Sequence, residues 1–173
     1  MRGRAAESAA DMLKKVRVKI VTDRTELGGS IFAGDALTPA PVVPTREEMT
    51  VEGRYHDDGT RVSISYEESE ISGMEGSRVT LSFPKSGPQT VTMLRTGSVK
   101  TSLLFEEGCR HECVYQTQLM SFDVCLRTDK VQNAIETMGT LDLDYIVELK
   151  GAQAERTKMR ILISPAYDKP RGL

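Results

Sequence analysis

Cys109, His111, Cys113, Tyr115 and Thr117 occupy alternate positions of one short segment, with Arg110, Glu112 and Gln116 among the residues between them. Two thiols and an imidazole are zinc ligands by type. Alternate residues of a straight strand stand roughly 6–7 Å apart, however, so one strand does not easily bring three of them to a single ion. The other histidine, His56, falls at an outward position of its own segment. The reading is therefore no metal site, and a buried, hydrogen-bonded ring for His111. The cysteines do not pair either. Cys109 and Cys113 lie roughly 13 Å apart along a strand, and a disulfide needs Cα atoms within about 7 Å. Cys125 lies on the next strand at an outward position. Three free thiols are expected, which fits a cytoplasmic chain.

Signals for catalysis are poor. The chain has no Gly-x-Ser-x-Gly, no phosphate-binding loop and no Gly-x-Gly-x-x-Gly. Gly73 and Gly76 flank Met74 and Glu75 in what reads as a flexible acidic turn. Glu67-Glu68 and Glu106-Glu107 are adjacent, so on a strand they face opposite sides and cannot act as a carboxylate pair. No catalytic residue and no cofactor are expected.

The polar residues with inward parity are more informative. Tyr66, Glu68, Arg95, Thr101, His111, Tyr115 and Tyr145 form the candidate ligand-binding set, and Thr128 shares their parity. A small barrel can hold one ligand among such groups, or its interior can be filled by side chains that satisfy one another. Glu68 continues the inward face of Val62, Ile64 and Tyr66, and Arg95 that of Val91 and Met93. One antiparallel strand separates the two, so both reach the same end. An unpaired buried charge is very costly, so Arg95 should be largely buried and bonded to Glu68, or to backbone carbonyls, with Tyr66 or Tyr115 nearby.

These residues sit on strands. Val79, Leu81 and Phe83 alternate with Arg78, Thr80 and Ser82; Leu141, Leu143 and Tyr145 alternate with Asp142 and Asp144. Such alternation buries one face and wets the other. Strands are predicted at 14–22, 48–56, 60–68, 77–83, 89–96, 98–105, 109–117, 121–128, 140–149 and 155–164. Asp58-Gly59 and Gly97-Ser98 read as two-residue hairpin turns. Residues 129–138 are the one helix-like connection, since Val131, Ala134, Ile135 and Met138 lie at helical spacing. Residues 23–46, with Gly28-Gly29, Pro39, Pro41 and Pro44, read as a long loop, either idle or folded over one mouth of a barrel.

The fold class that follows is all-β, an antiparallel barrel of eight to ten strands with one short helix. It spans one domain, 14–167, between a flexible tail at 1–13 and a C-terminal tail at 168–173. On its outside, Asp142, Asp144 and Glu148 should lie beside Arg156, Lys158 and Arg160, with Lys15, Arg17 and Lys19 flanking the same basic row. A net charge of −2 argues against a general nucleic-acid or membrane-surface binder. No apolar run approaches the roughly 18 residues of a membrane-spanning helix, and the first residues hold no signal-peptide core.

From Gly53 onward the order of motifs resembles the DUF1934, or YwiB-like, family of bacterial proteins. The resemblance rests on Tyr66-Glu67-Glu68, the run from Leu94 to Lys100, Phe105-Glu106-Glu107-Gly108 and the run from His111 to Thr117. It continues through Arg127-Thr128 and the run from Gly139 to Tyr145. Met120 stands where the family tends to place a glycine. The resemblance implies a lipocalin-like (calycin-type) barrel and no established activity. The functional expectation is a non-catalytic domain that binds a small amphipathic or anionic molecule in the barrel. The alternative is a protein-interaction module acting through its outer surface or the 23–46 loop.

Overall fold

The computed structural model describes residues 12–27, 43–149 and 154–166. Ten strands follow in chain order: β1 (Met12–Leu27), β2 (Thr45–Asp57), β3 (Arg61–Glu67), β4 (Ser77–Pro84), β5 (Val91–Gly97), β6 (Thr101–Phe105), β7 (Arg110–Gln116), β8 (Ser121–Ala134), β9 (Thr140–Leu149) and β10 (Ala154–Pro165). A 3-10 turn covers Glu70–Ser72, and a four-residue helix α1 (Ile135–Met138) links β8 to β9.

All ten strands belong to one antiparallel sheet, ordered β6-β5-β4-β3-β2-β1-β10-β9-β8-β7. Each strand except β6 and β7 has two hydrogen-bonded neighbours, and β1 returns onto β10 from Val16↔Pro165 to Leu27↔Ala154. The sheet curls until its two edges meet, where Lys100 and Gln116 exchange backbone bonds of 2.8 and 2.9 Å. The result is an up-and-down, lipocalin-like barrel with a thin seam between β6 and β7. Alternation sets its interior: Val18, Ile20, Val62, Ile64, Leu81 and Phe83 are among the core residues.

Several expected boundaries shift. β1 runs on to Leu27 and β2 starts at Thr45, so both ends of the segment read as a loop are strand. Asp23 pairs with both Lys158 and Arg46 there. Residues 28–42 of that segment lie outside the described residues, as do 1–11 of the N-terminal tail and all of the C-terminal tail.

The helix expected over 129–138 is mostly strand. β8 continues to Ala134, and only Ile135–Met138 is helical. The false signal rests on Val131 and Ile135, which are both buried; residues four apart share a face on a strand as well as on a helix. Ala134 is only half-buried and Met138 is exposed, so the rest of the helical pattern is not realised. A β-bulge between Thr128 and Lys130 sets the parity of this stretch, so the buried positions run Thr128, Val131, Asn133 and Ile135.

The turns also differ. The β2–β3 turn centres on Gly59-Thr60, closed by Asp58 N donating to the Arg61 carbonyl at 3.2 Å. The Asp58 carboxylate accepts from the backbone N–H of Thr60 at 2.8 Å and of Arg61 at 2.7 Å. Gly97 does take a positive φ of 108°, but it pairs with Ser77, and the β5–β6 ladder ends at Arg95↔Thr101. The expected two-residue turn there is a wider loop.

On the outside, β9 and β10 form part of the expected charge ladder, with Glu148 paired instead to Arg110 of β7. Arg156 donates to Asp144 at 2.9 and 2.8 Å, and Arg160 donates to Asp142 at 2.6 and 3.3 Å. The expected flank of Lys15, Arg17 and Lys19 is not beside this row. The register sets Val21, Asp23 and Thr25 against Arg160, Lys158 and Arg156. Lys19 instead pairs with Glu48 at 2.6 Å.

Candidate ligand-binding site inside the barrel

β3 and β5 both pair with β4, and Val79 of β4 stands between Tyr66 and Arg95 in register. Glu68 follows directly after β3, held by its N–H to the Ser77 carbonyl at 2.8 Å. This places the Glu68 carboxylate and the Arg95 guanidinium at one end of the barrel, as their parity required. Nη2 and Nε of Arg95 donate to the same oxygen, Oε1 of Glu68, at 2.9 and 3.3 Å. Both residues are more than nine-tenths buried. The second oxygen, Oε2, is shielded from solvent and has no hydrogen-bond partner.

Two cavities meet at Arg95. A small one of about 40 Å³ is lined by Tyr66, Glu68, Arg95, Met49 and Thr22 among others. A larger one of about 280 Å³ is walled by Met93, Leu103, Val147 and Met159, with Tyr115 and Tyr145 on its sides. Arg24, Met74, Arg95 and Met159 line both. Burial, reinforced by the charge of Glu68, pushes the Tyr66 hydroxyl far above its usual range. Burial raises that of Tyr145 as well, against the opposing pull of Arg95. Both rings are therefore neutral at physiological pH. Tyr145 packs on Phe105 with ring centroids 4.9 Å apart, and the Tyr115 hydroxyl donates to Sδ of Met74 at 3.5 Å.

Of the seven expected site residues, five line these cavities: Tyr66, Glu68, Arg95, Tyr115 and Tyr145. Thr101 is buried, and its register partner is Arg95, but it lines neither cavity. His111 does not join the group. It lies next to the β6–β7 turn, whereas Arg95 pairs with the opposite end of β6. Nor is it the buried, hydrogen-bonded ring expected from its position. The side chain is 32% exposed, and Nε2 has no aligned partner although Oε2 of Glu106 lies 3.4 Å away. Donor atoms of Glu106, Cys109 and His111 all lie within 4.8 Å of one another.

Sequence reasoning missed Arg24, because it fell in the segment read as loop, and the methionine walls, which carry no chemical signature. All three cysteines are free thiols, as expected. Cys125 has the outward parity expected of it yet is buried, since Arg110 lies over it with Nε 2.6 Å from Sγ. Burial, then the neighbouring carboxylate of Glu106, pushes the Cys109 thiol up. No helix among the described residues is long and apolar enough to cross a membrane.

A family model described as "Domain of unknown function (DUF1934)" matches residues 44–161, more than half of the chain. Among solved structures, the chain is similar to the crystal structure of the ywiB protein from Bacillus subtilis. The two are 14% identical with a TM-score of 0.61, over 87% of this chain and 93% of that one. A search of the curated proteins gave no match.

Proposed function

The chain belongs to the DUF1934 family, and we propose that its barrel is a non-catalytic binder of a small amphipathic molecule. The observation that carries this reading is the Arg95–Glu68 pair, whose arginine lines the large cavity and whose glutamate lines the small one beside it. There a buried guanidinium shares one carboxylate oxygen while the second oxygen, Oε2 of Glu68, has no partner. A buried acceptor left unpaired costs about 1–3 kcal/mol, more when charged. A ligand head that donates to Oε2 and accepts from Arg95 would satisfy both. The wall of thioethers and aliphatic side chains suits an apolar body. A cavity of about 280 Å³ sits at the lower edge of ligand pockets, which span roughly 300–1,000 Å³. The ligand is accordingly small.

Native mass spectrometry of the gently purified protein tests this directly, by a retained mass. Uptake of an anionic amphipathic dye, anilinonaphthalene sulfonate, supplies a second readout. Val147→Phe fills the cavity without touching the ion pair. The expected result is saturable one-to-one uptake by the wild type that Val147→Phe removes while the melting transition stays cooperative. Absence of both a retained mass and saturable uptake would overturn the reading.

A second reading rests on the outer face near the seam. Leu94 on β5, Val114 on β7, and Leu119 and Met120 in the β7–β8 turn are 45%, 52%, 90% and 54% exposed. Apolar groups left exposed together mark contact surfaces. Val114→Glu would weaken a protein partner bound there and leave dye uptake unchanged.

A further inference from the structure

We propose that Glu106, Cys109 and His111 form a binding site for a divalent transition ion of the zinc class, at the turn between β6 and β7. The site is separate from the cavity that holds Arg95, and it does not depend on ligand binding there.

Three ligand types meet at this turn: a carboxylate, a thiol and an imidazole. Each offers one donor atom, and the three lie within 4.8 Å of one another. Bond lengths of about 2.0–2.3 Å around a tetrahedral zinc put its ligand atoms roughly 3.3–3.8 Å apart. Modest side-chain rotation therefore closes the set on an ion. The turn makes this possible where a straight strand would not. Gly108 takes a positive φ of 77°, and the N–H of Cys109 donates back to the Glu106 carbonyl at 3.0 Å. The chain doubles over, so residues 106 and 109 face each other, and His111 follows two positions on.

The backbone of the turn is fixed from outside. Gly108 N donates to the Thr128 carbonyl at 2.9 Å, and Thr128 N donates to the Cys109 carbonyl at 3.1 Å. A turn pinned to β8 in this way presents its ligands with little ordering left to do. The second observation is on the ring itself. Nε2 of His111 is shielded from solvent and makes no hydrogen bond, though it is 3.4 Å from Oε2 of Glu106. A shielded nitrogen beside a carboxylate and a thiol is what a ligand atom looks like before the ion joins them.

The donor set selects the ion. Thiolate and imidazole favour zinc and its neighbours over magnesium or calcium, which prefer all-oxygen sites. Three protein ligands leave a fourth position for water, as in open zinc sites.

Cobalt(II) is a suitable probe, because a thiolate ligand gives it a charge-transfer band in the near ultraviolet. After chelator treatment, the full chain should take up one equivalent of cobalt(II) with that band. Cys109→Ser should remove it, while Cys113→Ser and Cys125→Ser keep it. His111→Gln should weaken zinc binding, measured calorimetrically, by ~100-fold or more, since losing even an outer partner of a ligand costs about 10–100-fold. Zinc should also slow alkylation of Cys109 in the wild-type protein but not that of Cys113, a readout that needs no variant to fold. The absence of a saturable band, or a band that survives Cys109→Ser, would overturn the proposal. So would zinc that leaves the alkylation of Cys109 unchanged.

Discussion

Arg95 is 8% exposed and Glu68 7%, and the other buried side chains among the described residues carry no charge. Each holds the other's charge, so losing either partner leaves an uncompensated ion that is more than nine-tenths buried. Breaking such a pair typically costs about 3–5 kcal/mol, and replacing both members with apolar groups costs far less. Arg95→Ala should therefore lower unfolding free energy by about 3–5 kcal/mol in urea titrations, and Arg95→Met with Glu68→Leu should recover most of that loss. The pair was legible in the sequence because parity and strand count alone put both groups at one end. His111 was not. Its role depends on how the Glu106–Cys109 turn doubles back, and alternation says nothing about a turn. A second residue-scale effect is exposed. Asp58 accepts hydrogen bonds from the backbone and side chain of Thr60, and from the backbone of Arg61, which hold its carboxyl near a pKa of about 2 against an ordinary value of 3.8. The folded state then binds fewer protons than the unfolded chain between those values. Stability from this group is complete above the ordinary value and is lost as pH falls from about 4 toward about 2. Asp58→Asn keeps an acceptor for the turn but cannot titrate. Its unfolding midpoint should show a shallower fall across that window than the wild type does.

At the scale of elements, strand interiors were readable and strand ends were not. β3, β4 and β9 match their alternation to within a residue. β1 exceeded its expected length because Asp23, Arg24 and Glu26 read as polar loop, whereas β10 pairs with all three and β2 with Asp23 and Arg24. Ladder hydrogen bonds do not require apolar side chains, so a long, twisted strand can run past its hydrophobic stretch. β8 gave the reverse error, a strand disguised as a helix, because Val131 and Ile135 stand four residues apart on one face. After it, α1 needs only four residues before Gly139 turns the chain into β9. Gly139 has φ 68°, and a Cβ there would stand 2.5 Å from the Ile163 carbonyl oxygen. Its own carbonyl accepts the Ile163 N–H at 2.7 Å, tying the turn to β10. Gly139→Ala should thus destabilise by about 1–3 kcal/mol, from a left-handed backbone plus a clash with a fixed backbone atom. Thermal unfolding followed by circular dichroism checks this. An unchanged midpoint would mean that β10 yields at Ile163 without cost.

In the whole molecule every strand lies beside its neighbour in sequence, and the first returns to the last. That simple order was within reach of the sequence, since ten alternating segments with short links favour an up-and-down arrangement. The weakness of one closure was not, because it depends on how far the sheet's curl brings its edges together. β1 and β10 share twelve register pairs, from Val16↔Pro165 to Leu27↔Ala154. Across the β6–β7 seam, Lys100 and Gln116 form the one bridge among the described residues. β6 is also the shortest strand, at five residues. Opening the seam therefore breaks few bonds, whereas opening β1 from β10 breaks a long ladder over the core. Local opening requires less free energy where fewer buried contacts and backbone bonds are lost. Hydrogen exchange should accordingly show the amides of β7 exchanging through local opening, well before those of β1, β9 and β10, which should follow global unfolding. Leu103 of β6 walls the large cavity, and the β6–β7 turn carries Glu106, Cys109 and His111. Exchange at the seam is then where occupancy of either site would register. A ligand in the cavity should slow β6 along with the strands around Arg95, whereas zinc should slow only the turn and its bonds to Thr128. Equal exchange in β7 and β1 would show that the seam is as firmly closed as the rest of the barrel.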